Sequence, residues 1–146
     1  MTLHPLDNPI WASLNSQHAQ FAQGQGDVLR YPAAIAPFLG MRESEVDAAA
    51  ALEALLAKEE VVYLLGPVPA VPQGWQLRHQ ILLAQMICPS RLAAVDGPEI
   101  IALSQAHRDD VLALTALVYP HYFRPRTMEL GRYFGIYENG RLAAMI

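Results

Sequence analysis

The dipeptide Asn139-Gly140, set between Tyr133–Glu138 and Arg141–Ile146, constrains the fold more than any other feature of this chain. Both central residues of a type I′ turn need φ > 0, which asparagine and glycine tolerate best, so the pair predicts a tight antiparallel hairpin. The second predicted strand runs through Ala143, Ala144, Met145 and Ile146, the last four residues. Terminal sequence ordinarily turns polar, and a lone two-stranded ribbon is marginal in water. The hairpin therefore implies a larger sheet, and its apolar outer strand is expected to be an open edge.

The remaining elements can be read in order. Asn8-Pro9 resembles a helix start, and Ile10, Trp11, Leu14, His18 and Phe21 recur at helical spacing up to about Gln23, with Gly24 as the stop. Val28–Tyr31 reads as a short edge strand before Pro32. Ser44 and Asp47 suggest a capping box for an alanine-rich helix reaching Lys58, followed by a β-branched strand over Val61–Leu65. GPVPAVPQG is a loop, and Trp75–Cys88 is predicted to be extended. A Pro/Gly-bounded joint from Pro89 to Pro98 separates an N-terminal region, residues 1–95, from a second part, residues 96–146.

In the second part, Glu99–Leu103 is a predicted strand and Ser104–His107 a turn. Asp109 and Asp110 open a helix where negative charge suits the macrodipole, with Val111, Leu114, Thr115 and Val118 on one face. Tyr119–Leu130 is a loop rich in aromatics and arginine, and the hairpin follows. The predicted fold class is α/β (α+β), with a mixed, largely antiparallel sheet and flanking helices.

Composition bounds the function. With 53% hydrophobic residues, the 146-residue chain can bury a core without staples. The net charge is −4, only Lys58 is a lysine, and the arginines are scattered, so nucleic acid is not an expected partner. Cys88 is the sole cysteine, which rules out an internal disulfide and fits a reducing compartment. Its run, QILLAQMIC, predicts a small buried hydrophobe rather than a reactive thiol. MTLHPLDNPIWAS is no signal peptide, and no apolar stretch approaches the ~20 residues of a membrane span. A cytoplasmic protein with no membrane partner is expected.

Most catalytic signatures are missing. His4, His18, His79, His107 and His121 show no metal-ligand spacing, and His18 reads as a packed residue. Glu59-Glu60 and Asp109-Asp110 are adjacent pairs whose side chains diverge, a poor acid/base dyad. Gly24-Gln25-Gly26 follows a predicted helix instead of opening one, so it is a poor phosphate cradle.

Residues 99–146 carry a family resemblance. EIIALSQAHRDDVLALTALVYP is similar to the opening of GNAT-type N-acetyltransferases: strand, turn, acidic helix start, helix with a Leu/Ala face. RPRTMELGRYFGIYENGRLAAMI resembles their second and third strands with the turn between. NPIWASLNSQHAQFAQG would sit at the front of a branch with an additional N-terminal region, a looser match. The resemblance implies an incomplete GNAT-like fold behind a small α/β region.

By that resemblance the complete enzyme moves an acyl group from acyl-CoA, with acetyl-CoA as co-substrate, to a small-molecule or peptide amine. The family's pyrophosphate loop, central strand and acid/base residues lie after the third strand, so no catalytic residue and no bound CoA are expected here. QFAQGQG has Phe21 where that loop carries Gln or Arg. The loop after the first helix forms part of the acceptor wall in the family, which makes Tyr119, Tyr122, Phe123, Arg124, Arg126 and Glu129 the candidate substrate-binding residues. Against this stands simple packing of Phe123 and Tyr133, with both arginines solvated. The rival functions are a non-catalytic module pairing or self-associating through the edge of Arg141–Ile146, and a small-ligand domain around Trp11 and Trp75.

Overall fold

A computed structural model describes residues 4–93 and 96–146. The predicted boundary at Val95 lies outside the described residues. The chain divides into two compact units: Met1–Pro32 with Pro37–Ile87, and Ala33–Ala36 with Cys88–Ile146. The second unit is thus discontinuous in sequence, taking four residues from between two strands of the first.

The first unit opens with a 3-10 turn at Pro5–Asp7, capped reciprocally by His4 and Asp7. Helix α1, Pro9–Leu14, follows with Pro9 at its first position. It is shorter than the predicted helix, for a visible reason. Ser16 Oγ donates to Ala12 O, the carbonyl that its own N–H would need to extend the helix, while that N–H turns to Ser13 O instead. The chain resumes as a 3-10 turn at Ala19–Phe21. Asn8 stands at the N-cap position, but its side chain turns away and donates to Met41 O at 2.6 Å.

Gly24 does not stop a helix. It lies within β1, Gln23–Gln25, at φ 108°, and Gly26 at φ 68° makes the turn into β2, Val28–Arg30. Nor is β2 an edge strand: the sheet order is β1-β2-β3-β4, antiparallel except for the final pair. Strand β3, Phe38–Met41, had no sequence signature, being four residues with a glycine inside and Pro37 before it. Its Gly40 lets α1 approach closely, since a Cβ there would come 2.7 Å from Trp11 N. Strand β4 is Tyr63–Leu64.

Helix α2 spans Ala49–Leu55, not Ser44 to Lys58. Asp47, not Ser44, meets its start, accepting from Ala49 N–H at 3.2 Å. Val28, Leu39, Met41, Ala48, Leu52 and Leu56 form the core between α2 and the sheet, with Trp75 packed against it. A fully buried aliphatic such as Leu39 contributes about 2 kcal/mol from removal of apolar surface. Residues 75–88, predicted to be extended, join no sheet ladder among the described residues. Cys88 is exposed rather than buried, and its Sγ donates to Ser90 O.

The second unit holds the three-stranded antiparallel sheet β5-β6-β7: Ile101–Leu103, Tyr133–Glu138 and Arg141–Met145. Asn139 (φ 51°) and Gly140 (φ 74°) turn the hairpin in the left-handed region the sequence demanded. The pairing slips between Ile136 and Tyr137, where Ala143 is the extra residue on β7. Helix α3, Arg108–Val118, buries Val111 and Thr115, and Leu142 is buried on β7. Ile35 and Ala36 are almost wholly inaccessible. This is a mixed α+β fold, as predicted.

Candidate functional site

The candidate residues lie on the segment joining α3 to β6. Pro120 ends the helix, because the residue before a proline is pushed out of the α region. Tyr119 accordingly sits at φ −140°, its N–H still donating to Thr115 O at 2.7 Å. A 3-10 turn, Thr127–Leu130, closes the segment before β6.

Thr127 anchors it. Its buried hydroxyl accepts from the Arg124 N–H at 2.7 Å and donates to Ile35 O at 2.5 Å. Arg126 N–H donates to Ala34 O, Arg108 Nε to Pro125 O, and Tyr133 OH to Thr127 O. Residues 124–127 are therefore pinned by both backbone and side chains, a firm base for the exposed groups on either side.

The six candidates separate into three kinds. Phe123 packs edge-on against Tyr133, with ring centroids 5.9 Å apart, so it supports the loop. Burial raises the Tyr133 phenol pKa. Tyr119 and Tyr122 are exposed with rings 6.1 Å apart, and His121 meets Tyr122 edge-on. Arg126 and Glu129 form a two-point ion pair at 2.6 and 2.7 Å on the surface. Each stabilises the other's charge: Arg126 holds the Glu129 carboxyl below the usual range, and Glu129 raises Arg126. These two charges largely cancel. Arg124 is half-buried and forms no ion pair among the described residues.

A polar cluster that the sequence did not single out gathers at the start of α3. His107 Nδ1 accepts from Ser104 N–H at 3.0 Å and lies 3.2 Å from Ser104 Oγ, while Ser104 Oγ accepts from Ala106 N–H. Tyr137 OH donates to Asp110 Oδ2 at 2.6 Å, and that carboxylate raises the phenol pKa. The backbone N–H already occupies the imidazole lone pair, so the Ser–His pair is a helix cap rather than a nucleophile and its base. Ser104 with His107 three positions later was the available signal.

Elsewhere the chemistry is sparse. His18 Nδ1 lies 2.7 Å from Tyr31 OH, with its ring edge-on to Phe21 and Tyr31, so it is a packed histidine. A cavity of about 220 Å³ beside it is lined by residues including Pro9, Ser13 and Gln17, smaller than ordinary ligand sites of roughly 300 Å³ upward. Trp11 lies under the Arg42 guanidinium at 5.8 Å. No group of three or more potential metal ligands occurs among the described residues. No described helix is long and apolar enough to cross a membrane.

A CoA pyrophosphate needs a glycine-rich turn feeding a helix N-terminus. Among the described residues, the glycines and the helix start that come nearest to one do not fit. Gly24 and Gly26 belong to the β1–β2 hairpin, where a Cβ on Gly24 would strike Val28 O at 2.6 Å. The first turn of α3 carries Asp109 and Asp110, which repel an anion.

No protein-family model matches the sequence, and no curated protein matches it. Among solved structures it is similar to a protein of Novosphingobium aromaticivorans assigned to the GNAT family of acetyltransferases. The TM-score is 0.78 and the identity 26%, over 98% of this chain and 63% of the other. The chain thus spans less than two thirds of that protein's length.

Proposed function

We propose, from the GNAT-type acetyltransferase fold that the chain adopts, that it is the front portion of an N-acyltransferase moving an acyl group from acyl-CoA to an amine. The observation that carries this reading is the likeness over 98% of the chain at a TM-score of 0.78. Acyl-CoA, taken as the co-substrate of the complete enzyme, supplies the activated thioester. Its cradle is assigned to sequence that this chain does not contain, and residues 1–146 alone are taken to be inactive.

In this reading the segment after α3 lines the acceptor side. Tyr119 and Tyr122 offer aromatic faces for shape and for an amine cation. With Arg126 and Glu129 engaged together, Arg124 supplies the uncompensated charge, which suits an acceptor that bears a carboxylate as well as its amine. Phe123 holds the wall rather than touching the acceptor.

The test is release of CoA thiol from acetyl-CoA with a panel of amines. The longest polypeptide encoded by the reading frame should release thiol in an amine-dependent way, and residues 1–146 should not. Thiol release that ignores the amine, or none from the longest polypeptide, overturns the proposal.

The outer edge of β7 favours one rival. Among the described residues β7 pairs only with β6, and an apolar unpaired edge is a template for strand addition. A chain that forms dimers through β7 and shows no acyl transfer in any form would be an interaction module instead.

A further inference from the structure

The 3-10 turn Gln105–His107, which leads directly into α3, is closed by a capping box with an uncommon member. Ser104 Oγ accepts from Ala106 N–H, and the side chain three positions after Ser104 reaches back to accept from Ser104 N–H. Glutamate or glutamine ordinarily fills that second position. Here it is His107, whose Nδ1 stands 3.0 Å from Ser104 N and 3.2 Å from Ser104 Oγ.

A backbone N–H can only donate, so the cap admits one form of the ring: neutral, with its proton on Nε2. The imidazolium carries a proton on both nitrogens and has no lone pair to offer. Protonation would set N–H against N–H at 3.0 Å, and the ring must then leave. Histidine is the side chain whose ordinary titration, near ~6.5, brings such a change close to neutral pH.

The surroundings supply a second position for the ring. Asp110 lies three residues on, on the same face of the helix, and accepts from Tyr137 OH at 2.6 Å. The Tyr137 ring meets His107 from β6, with centroids 6.1 Å apart. A carboxylate accepts several hydrogen bonds, so Asp110 can hold Tyr137 and an imidazolium together. Of the other charges nearby, Asp109 adds a second negative one, and Arg108 directs its guanidinium away, to Pro125 O. Glu138 and Arg141 pair across the hairpin on the other face of the sheet.

We infer that His107 makes the head of α3 a pH switch, capping Ser104 when neutral and turning to Asp110 when protonated. Arg108, the next residue, carries the change further. Its bond to Pro125 O ties the head of the helix to the pinned residues 124–127. The switch is independent of acyl transfer.

Nitrogen-15 NMR of the 146-residue chain from about pH 8 to about pH 5 tests it. At the upper end of that range His107 should show a bare Nδ1 and a protonated Nε2. As the ring titrates, the Ser104 amide resonance should shift with the same midpoint. Its exchange protection, corrected for the intrinsic pH dependence, should fall about fivefold, as for a lost cap. His107→Gln restores the common capping box with a side chain that does not titrate, so its Ser104 amide should stay unchanged throughout. Asp110→Asn should move the midpoint of the Ser104 response to lower pH, since the imidazolium loses its partner. A Ser104 amide indifferent to the titration of His107 overturns the inference, as does a proton on Nδ1 at the upper end. An equal response in His107→Gln, or an unmoved midpoint in Asp110→Asn, does the same.

Discussion

Arg30 and Glu60 meet in a two-point ion pair, Nη2 2.5 Å from Oε1 and Nη1 3.1 Å from Oε2, with Arg30 only 4% exposed. The guanidinium also donates to Tyr31 O and Leu55 O, so its donors bind β2 to the chain leaving α2. Glu60 in turn accepts from Ala57 N–H. A buried charge this well satisfied is costly to orphan.

Glu60→Ala should therefore destabilise the first unit by about 3 kcal/mol at neutral pH, read by urea denaturation. The Arg30 hydrogen bond depresses the Glu60 carboxyl pKa. A lowered folded-state value means the contribution is complete above the ordinary carboxylate range and disappears as pH falls through the folded-state value. Stability of the parent should thus fall on acidification more steeply than that of Glu60→Ala. Parallel curves would show that the pair is energetically idle.

Thr127→Val should cost about 2 kcal/mol in the second unit, because it strands the Arg124 N–H and the Ile35 carbonyl together. Thr127→Ser keeps the hydroxyl and should recover most of that loss. Exchange protection of the β6 amides is the readout, and equal effects of Val and Ser would remove the hydroxyl from the account.

Gly40→Ala and Gly135→Ala should differ although both sit in strands. At Gly40 the new methyl meets the backbone of Trp11 and Ile10, which cannot move without shifting α1. At Gly135 it meets the side-chain tips of Leu142 and Leu103, which can turn aside. Loss of roughly 3 kcal/mol is expected for Gly40→Ala and about 1 kcal/mol for Gly135→Ala. Thermal denaturation of both variants decides it, and the reverse ranking would contradict the packing of α1 on β3.

Arg126→Ala should leave the melting temperature almost unchanged, since the pair with Glu129 is exposed and such pairs contribute little. If the proposed acyl transfer holds, Arg124→Ala in the longest polypeptide of the reading frame should raise KM for carboxylate-bearing acceptors and leave KM for plain alkylamines alone. A uniform rise across both classes would assign Arg124 to structure only.

What could be read from the sequence was mostly local. Asn139-Gly140 specifies its own backbone conformation, and Asp109 and Asp110 mark the start of α3, so both survive any tertiary context. Helix lengths did not, because Ser16 puts its hydroxyl on Ala12 O and its N–H on Ser13 O, a choice that periodicity cannot register. Strand β3 escaped because Gly40 answers to α1 crossing it rather than to strand propensity. Cys88 misled for a similar reason: its apolar run predicts burial, yet nothing among the described residues covers it. In the candidate loop, residue types marked the segment after α3. The mutual capture of Arg126 and Glu129, and the anchoring of Thr127 by Ile35, required coordinates.

The loan of Ala33–Ala36 to the second unit has a genetic consequence. No single cut in the gene separates one unit intact from the other, because residues 88–146 alone would leave the Thr127 hydroxyl and the Arg126 amide without their carbonyls. Recombination therefore cannot trade these halves as cassettes: an inherited second unit must arrive together with the first one's β2–β3 connection.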